Sequence, residues 1–213
     1  MTGEAAAGAS RRPHPPSFYD RDTELVAREL LGSVLRCVTD QGVTSGRIVE
    51  TEAYLGEHDP ACHAVAGNTN RTRWLYAKPG IAYVYFIYGV HWCFNAVTRA
   101  EGLPSAVLVR ALEPLEGLPL MRQRRSRARN DIHLTNGPGK LCAALGITGS
   151  HNGVLLNAPP ITILRGNDVP NQRVQVSPRI GITRAADWPL RWFVADSPYV
   201  SNAPRRLLTG TRS

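Results

Sequence analysis

Glu50, Glu52 and Tyr54 stand at alternate positions in the stretch Ile48–Leu55, IVETEAYL. Side chains on a strand alternate between faces, so these three share one face, with Val49, Thr51 and Ala53 on the other. Three chemistries fit that spacing. Converging carboxylates could hold divalent metal in a nuclease. A single carboxylate could act as a general base toward water. The acids could also be the charged edge of a solvated strand. Nearby aromatics and His63 in the polar loop that follows weigh against plain surface. A second aromatic run, Ile81–Thr98, places Tyr83 and Tyr85 on one face and Val84 and Phe86 on the other. Tyr88-Gly89 falls at the tip of that hairpin, where an exposed ring suits a wedge driven into a base stack.

Other groupings carry less. His58, Cys62, His63, His91 and Cys93 match no zinc-finger spacing, and the deaminase H-x-E…P-C-x-x-C signature is missing. No metal site is expected. Gly137–Lys140, GPGK, lacks the spacing of a phosphate-binding loop, yet backbone amides before a helix can hold one phosphate with help from Lys140. The run Arg122, Arg124, Arg125, Arg127 and Arg129 reads equally as a solvated helix or a nucleic-acid contact. Only two of the 25 basic side chains are lysine, Lys78 and Lys140. Neither is beside the acidic strand in sequence, so an acid-activated water is more economical than an amine nucleophile.

These residues need elements to position them. Asp20–Gly32 reads as a helix capped by Asp20 or Asp22, with Leu25, Val26, Leu30 and Leu31 buried. A hairpin follows through Leu55, then a long polar loop over Gly56–Trp74, then the hairpin of Ile81–Thr98. Ser105–Pro114 is a buried strand, Leu115–Asn130 carries an arginine-rich helix, and Gly137–Ile147 is a loop feeding a short helix. Short strands are expected at Ile161–Leu164, Arg179–Ile182 and Leu190–Val194. Hairpins beside separate helices, without a βαβ rhythm, indicate an α+β fold: one mixed domain over residues 17–213 with a largely antiparallel sheet. Residues 1–16, rich in Ala, Gly and Pro, are expected to be a disordered tail.

The chain has 213 residues and a formal net charge of +8. That balance favours a polyanionic partner such as nucleic acid. Cys37, Cys62, Cys93 and Cys142 form no CxxC pair, and no run has the length of a membrane span or a signal peptide. The expectation is an intracellular protein that does not enter a membrane, cytoplasmic in a bacterium or nuclear in a eukaryote.

The blocks ARELLG, IVETEAYLG, HA, KPG, YVYFIYGVHWCFN, VLVRALEPLEG, MR, NGPGKLCAALGI and PLRWFVADSPYVS occur in this order between Phe18 and Ser201. Together they resemble the alkyladenine (3-methyladenine) DNA glycosylase family of the mammalian and Gram-positive type. The resemblance implies a monofunctional enzyme of base excision repair. Such an enzyme flips alkylated or deaminated purines out of double-stranded DNA and hydrolyses the N-glycosidic bond without a cofactor. It implies Glu52 as general base, and Arg110 and the Val194 carbonyl as its partners in holding the attacking water. Tyr54 and His63, with Tyr85, would sandwich the base, Asn95 would form the pocket floor, and Tyr88 would fill the gap in the duplex. It also implies a curved sheet with a protruding hairpin, and a monomer. Arg71, Arg73 and Lys140 are candidate phosphate contacts. Val90 and His91 depart from the family, which carries a methionine and an aromatic residue there. A catalytically silent relative that binds damaged DNA is the alternative. The preferred lesion among ethenoadenine, hypoxanthine, 3-methyladenine and 7-methylguanine is not readable.

Overall fold

Runs rich in valine, isoleucine and aromatics alternate with glycine-marked turns, and they form nine strands. The computed structural model describes residues 11–201. The strands are β1 (Val34–Thr39), β2 (Gly42–Tyr54), β3 (Ala82–Ile87), β4 (His91–Thr98), β5 (Ser105–Glu116), β6 (Asn157–Ala158), β7 (Ile161–Leu164), β8 (Val174–Ser177) and β9 (Arg191–Val194). The helices are α1 (Pro16–Tyr19), α2 (Thr23–Glu29), α3 (Leu118–Arg124), α4 (Ile132–Thr135) and α5 (Pro138–Leu145). All strand pairings are antiparallel, in the order β3-β4-β5-β2-β1-β7-β6, with β9 pairing both β2 and β8. The result is a single α+β domain built on a curled antiparallel sheet.

The long strand β2 changes partners along its length. It pairs with β1 over Gly42–Arg47, with β5 over Ser45–Tyr54, and with β9 over Glu50–Glu52. Glu50 and Glu52 therefore sit on an interior strand with a neighbour on each side, which removes the reading of a solvated, charged edge. One sheet face meets the helices. Val26 and Ala27 of α2, Met121 of α3, Leu134 of α4 and Leu141 of α5 are buried against Val84, Phe94, Val107 and Val109. On the other face, Cys62, Ala64 and Leu75 of the polar loop pack on Tyr83, Val97 and Ala106. The loop stays compact through two 3-10 turns, His63–Ala66 and Arg73–Tyr76.

Several elements differ from the sequence reading. Arg179–Ile182 forms no strand. Pro178 has no N–H for a ladder, and the adjacent strand lies earlier, at β8. Leu115 and Glu116 extend β5, and α3 begins only after Gly117 in the left-handed region. Leu25 is exposed, while Thr23 and Ala27 join Val26 on the buried side of α2. Of the expected tail over residues 1–16, residues 1–10 lie outside the described residues, while residues 13–16 are part of the fold. Pro13 bridges to Leu164, and His14 stacks on Phe18 at 3.9 Å and hydrogen bonds Ser33 Oγ at 3.0 Å. Among the described residues no helix is long and apolar enough to cross a membrane.

Asp22 caps α2 by accepting from the N–H groups of Glu24 and Leu25 at 3.0 and 3.1 Å. Asp22→Ala should cost about 1 kcal/mol. For a domain of this size that lowers Tm by roughly 2–4 °C. An unchanged melting curve would show that the cap contributes nothing.

Candidate active site

Alternation along β2 puts the acids and the phenol on one face, as their contacts show. The Tyr54 hydroxyl donates to Glu52 Oε2 at 3.0 Å. Thr51, pointing the other way, donates to the Ala27 carbonyl at 2.8 Å. Opposite them, the register slips between the pairs Glu50–Ala111 and Thr51–Val109, leaving Arg110 as the extra residue of β5. A bulge re-aims the side chain it carries. Arg110 reaches both acids, with Nε 3.1 Å from Glu50 Oε1 and Nη1 3.1 Å from Glu52 Oε2.

The two carboxylates differ in what else they hold. Glu50 also accepts from Arg191 Nε at 2.7 Å, from the Ser201 hydroxyl at 2.8 Å and from the Ser201 N–H at 2.6 Å. With Arg110 that makes four donors, three on Oε1 and one on Oε2, and Glu50 has no exposed surface. Glu52 accepts from Arg110, from Tyr54 and from the Ile180 N–H at 2.7 Å, which is the one partner of Oε1. A carboxylate oxygen has two lone pairs, so Oε1 keeps one. Burial pushes the Glu52 carboxyl above its ordinary 4.5, against the opposing pull of Arg110 and the Ile180 N–H.

In front of this cluster lies a cavity of about 360 Å³. Its walls include Tyr54, His63, Tyr83, Tyr85, Tyr88, Asn95 and Arg110. Glu52 has no exposed surface. It sits directly behind the wall, bonded to Tyr54, Arg110 and Ile180, which all line the cavity. His63 meets Tyr85 edge to face at 4.5 Å and pairs through Nδ1 with the Tyr83 hydroxyl at 2.9 Å. Burial, aided by Arg71, pushes the His63 pKa down to about 4, so at neutral pH this wall is an uncharged ring. The Asn95 amide donates to the Tyr83 carbonyl at 3.0 Å, which fixes it in place.

At the rim, Tyr88 is 79% exposed and has φ of 54°, next to Gly89 at 67°. Two positive φ values in succession make a tight hairpin turn whose twist matches the strands. His91 and Trp92 hold the base of the hairpin against glycines. A Cβ on Gly139 would lie 2.8 Å from the His91 ring, and one on Gly149 would lie 2.6 Å from the Trp92 ring.

The structure thus brings Glu52, Tyr54, His63, Tyr85, Tyr88, Asn95 and Arg110 together. It does not bring Val194. That residue is buried in β9, its carbonyl accepts from the Ser197 N–H at 3.3 Å, and it lines a different cavity with Gly32 and Val49. The backbone at the acid site belongs to Ile180, whose carbonyl is 3.5 Å from Arg110 Nη1. Arg71 lies above the Tyr85 ring, 5.9 Å from its centroid, and Lys140 bonds Asn136 beside the cavity-lining Pro138. Arg73 stacks on Trp74 and does not line the cavity. In the arginine run, Arg122 pairs with Asp131, Arg124 bonds Thr39 and Gln41, and Arg125 bonds the His133 carbonyl. Asp59, Arg179, Ile180, Arg191 and Ser201 were missed. Pro178 and Gly181 did signal irregular backbone around Arg179 and Ile180, and Asp59-Pro60 signalled a turn.

The model of the methylpurine-DNA glycosylase family matches residues 17–198. The chain belongs to the methylpurine-DNA glycosylase family. It is therefore a DNA glycosylase, a hydrolase of DNA repair. It is 49% identical over 195 residues to a protein of Myxococcus xanthus, covering 89% of this chain and 94% of that one. It is 47% identical over 185 residues to one from Chlorobaculum parvum, covering 86% and 88%. It is 47% identical over 190 residues to one from Methanoculleus marisnigri, covering 88% and 97%. Each of the three is provisionally named a 3-methyladenine DNA glycosylase.

Glu50→Gln would leave Arg191, which is fully buried, and Arg110 without their shared counter-charge. Removing one partner of a buried pair costs about 3–5 kcal/mol. The urea midpoint should fall accordingly with an unchanged slope. A midpoint equal to wild type would show that Glu50 does not hold the cluster together.

Proposed function

We propose that this glycosylase removes alkylated or deaminated purines from double-stranded DNA by hydrolysis at Glu52, with no lyase step. The observation that carries the reading is a carboxylate, Glu52, whose three partners Tyr54, Arg110 and Ile180 all line an aromatic cavity, beside an exposed tyrosine on a hairpin. A base inside a duplex is out of reach, and rotating it out costs a few kcal/mol, roughly. Tyr88 fills the space it leaves. Stacking on Tyr54 and against His63 and Tyr85 returns about 1–3 kcal/mol per aromatic contact. Asn95, held by the Tyr83 carbonyl, sets which purine edges fit the floor. Arg71 and Lys140 flank the cavity and take backbone phosphates.

The damaged purine is electron-poor and leaves readily, so positive charge grows on the sugar as the C1′–N bond breaks. Glu52 answers that charge and accepts the proton of the attacking water at Oε1. Arg110 holds the other oxygen, and the Ile180 carbonyl, rather than that of Val194, completes the shell of the water. Because Glu52 is sealed in this state, Tyr54 or the Ile180–Ile182 segment must yield for water to arrive. The products are the free base and an abasic site. Every residue in this scheme comes from one chain.

The test is single-turnover release of base from duplexes carrying ethenoadenine, hypoxanthine or 7-methylguanine. Glu52→Gln should lower the rate by at least ~10²-fold, the usual loss for a general base, while binding persists. Comparable release by the mutant removes Glu52 from the chemistry. Excision should also fall with pH along a limb whose midpoint lies above 4.5, because the base must be ionised and burial raises its pKa. A midpoint at or below 4.5 contradicts that assignment. Tyr88→Ala should weaken excision from paired DNA more than from single strands, and an equal loss on both would rule out the wedge.

A further inference from the structure

Behind the Tyr54 ring, on the side away from the cavity, lies an ion pair that the mechanism above does not use. Asp59 comes from the polar loop and Arg179 from the segment after β8, and both side chains are completely buried. Arg179 Nη1 and Nη2 grip the two oxygens of Asp59 at 2.5 and 2.8 Å, and Nη1 also donates to the Ala53 carbonyl at 3.0 Å. Asp59 in turn accepts from the N–H groups of Leu55 and Ala61 at 3.1 and 3.0 Å. The fork-to-fork geometry fixes orientation as well as distance.

Two contacts tie this pair to the chemistry. The guanidinium carbon of Arg179 lies 4.7 Å from the centroid of the Tyr54 ring, so the cation backs the face that a base would not occupy. The next residue along the chain is Ile180, whose N–H donates to Glu52 Oε1. Arg179 thereby sets the backbone that aims one donor at Glu52. It also sets the ring that supplies another donor to the same carboxylate.

We infer that Arg179, locked by Asp59, is a positioning residue for the Glu52 carboxylate and the Tyr54 ring. It touches no substrate. It acts by holding the two donors of Glu52 that do not come from Arg110. This inference rests on the reading of Glu52 as the base.

The groups facing Glu52 are Glu50 and Tyr54 on its own strand, Arg110 on β5, Tyr85 on β3, Cys93 on β4, Arg191 on β9 and Arg179 after β8. Arg191 is paired with Glu50, and Arg179 is a further nearby cation besides Arg110. Its removal disfavours the ionised carboxylate, and the acid limb of the pH–rate profile should move to higher pH.

The experiment uses the full chain and measures single-turnover 7-methylguanine release from duplex DNA, with binding to a duplex carrying a tetrahydrofuran abasic analogue as the control. Arg179→Met should slow release at least ~tenfold, toward the ~10²-fold cost of a catalytic group misplaced by about 1 Å. Affinity for the analogue should stay close to wild type. Arg179→Lys should recover only part of the rate, since lysine lacks the planar fork. In a Glu52→Gln background the same Arg179→Met change should have little further effect, because coupled groups are not additive. An equal loss in both backgrounds, or a wild-type rate and acid limb for Arg179→Met, overturns the positioning role. A fully active Glu52→Gln would instead overturn the base assignment. Should Arg179→Met fail to fold, Asp59→Asn tests the same link with a smaller change. It should lower the rate and raise the acid limb, and wild-type behaviour would refute the inference.

Discussion

The guanidinium of Arg110 lies between two carboxylates inside a sheet, and everything around it follows from the cost of burying charge. Taking ions from water costs several kcal/mol each even after relaxation, and attraction repays this only when the remaining lone pairs and protons are satisfied. Glu50 and Glu52 on β2 cannot be neutralised by Arg110 alone. Arg191 from β9, the backbone of Ser201, the hydroxyl of Tyr54 and the N–H of Ile180 all turn inward to complete the set. Those requirements fix which strand runs beside β2, and why the segment after β8 must leave the sheet instead of continuing as a strand.

The two faces of the sheet divide the remaining work. Helices seal one face with leucine, valine and phenylalanine, which makes β2 and β5 a firm support. The other face is covered by a loop of polar composition whose few apolar residues are enough to hold it down. Between loop and sheet remains a cavity with aromatic walls, with Arg110 at its lining and Glu52 behind it. Its size falls within the range of small-molecule pockets, ~300–1,000 Å³.

What could be read in advance depended on how local the signal was. The shared face of Glu50, Glu52 and Tyr54 follows from a two-residue period, and the Tyr88 tip follows from turn chemistry. Arg110 was different. Its reach to both acids depends on a bulge that no spacing rule announces, so its role came only through family likeness. Leu25 matched a helical stripe, yet it faces outward, since Thr23 takes the inward position through a hydroxyl pair with Thr98. The carbonyl that Arg110 meets is that of Ile180, whereas family likeness points to Val194, because a main-chain group carries no side-chain signature. The Asp59–Arg179 pair joins residues 120 positions apart, a separation at which sequence pattern is silent.

One contact at the far end of the described fold shapes how the protein comes into being. Ser201 bonds Glu50 across 151 positions of sequence. A ribosome adding about 5–20 residues per second needs roughly 8–30 s to travel that distance. Throughout that interval the acidic strand has emerged without the donors that balance it. No shorter amino-terminal fragment carries the full set, so the acid site cannot assemble ahead of synthesis. A site whose buried charges are balanced only once Ser201 is in place is the last part of the fold to be completed.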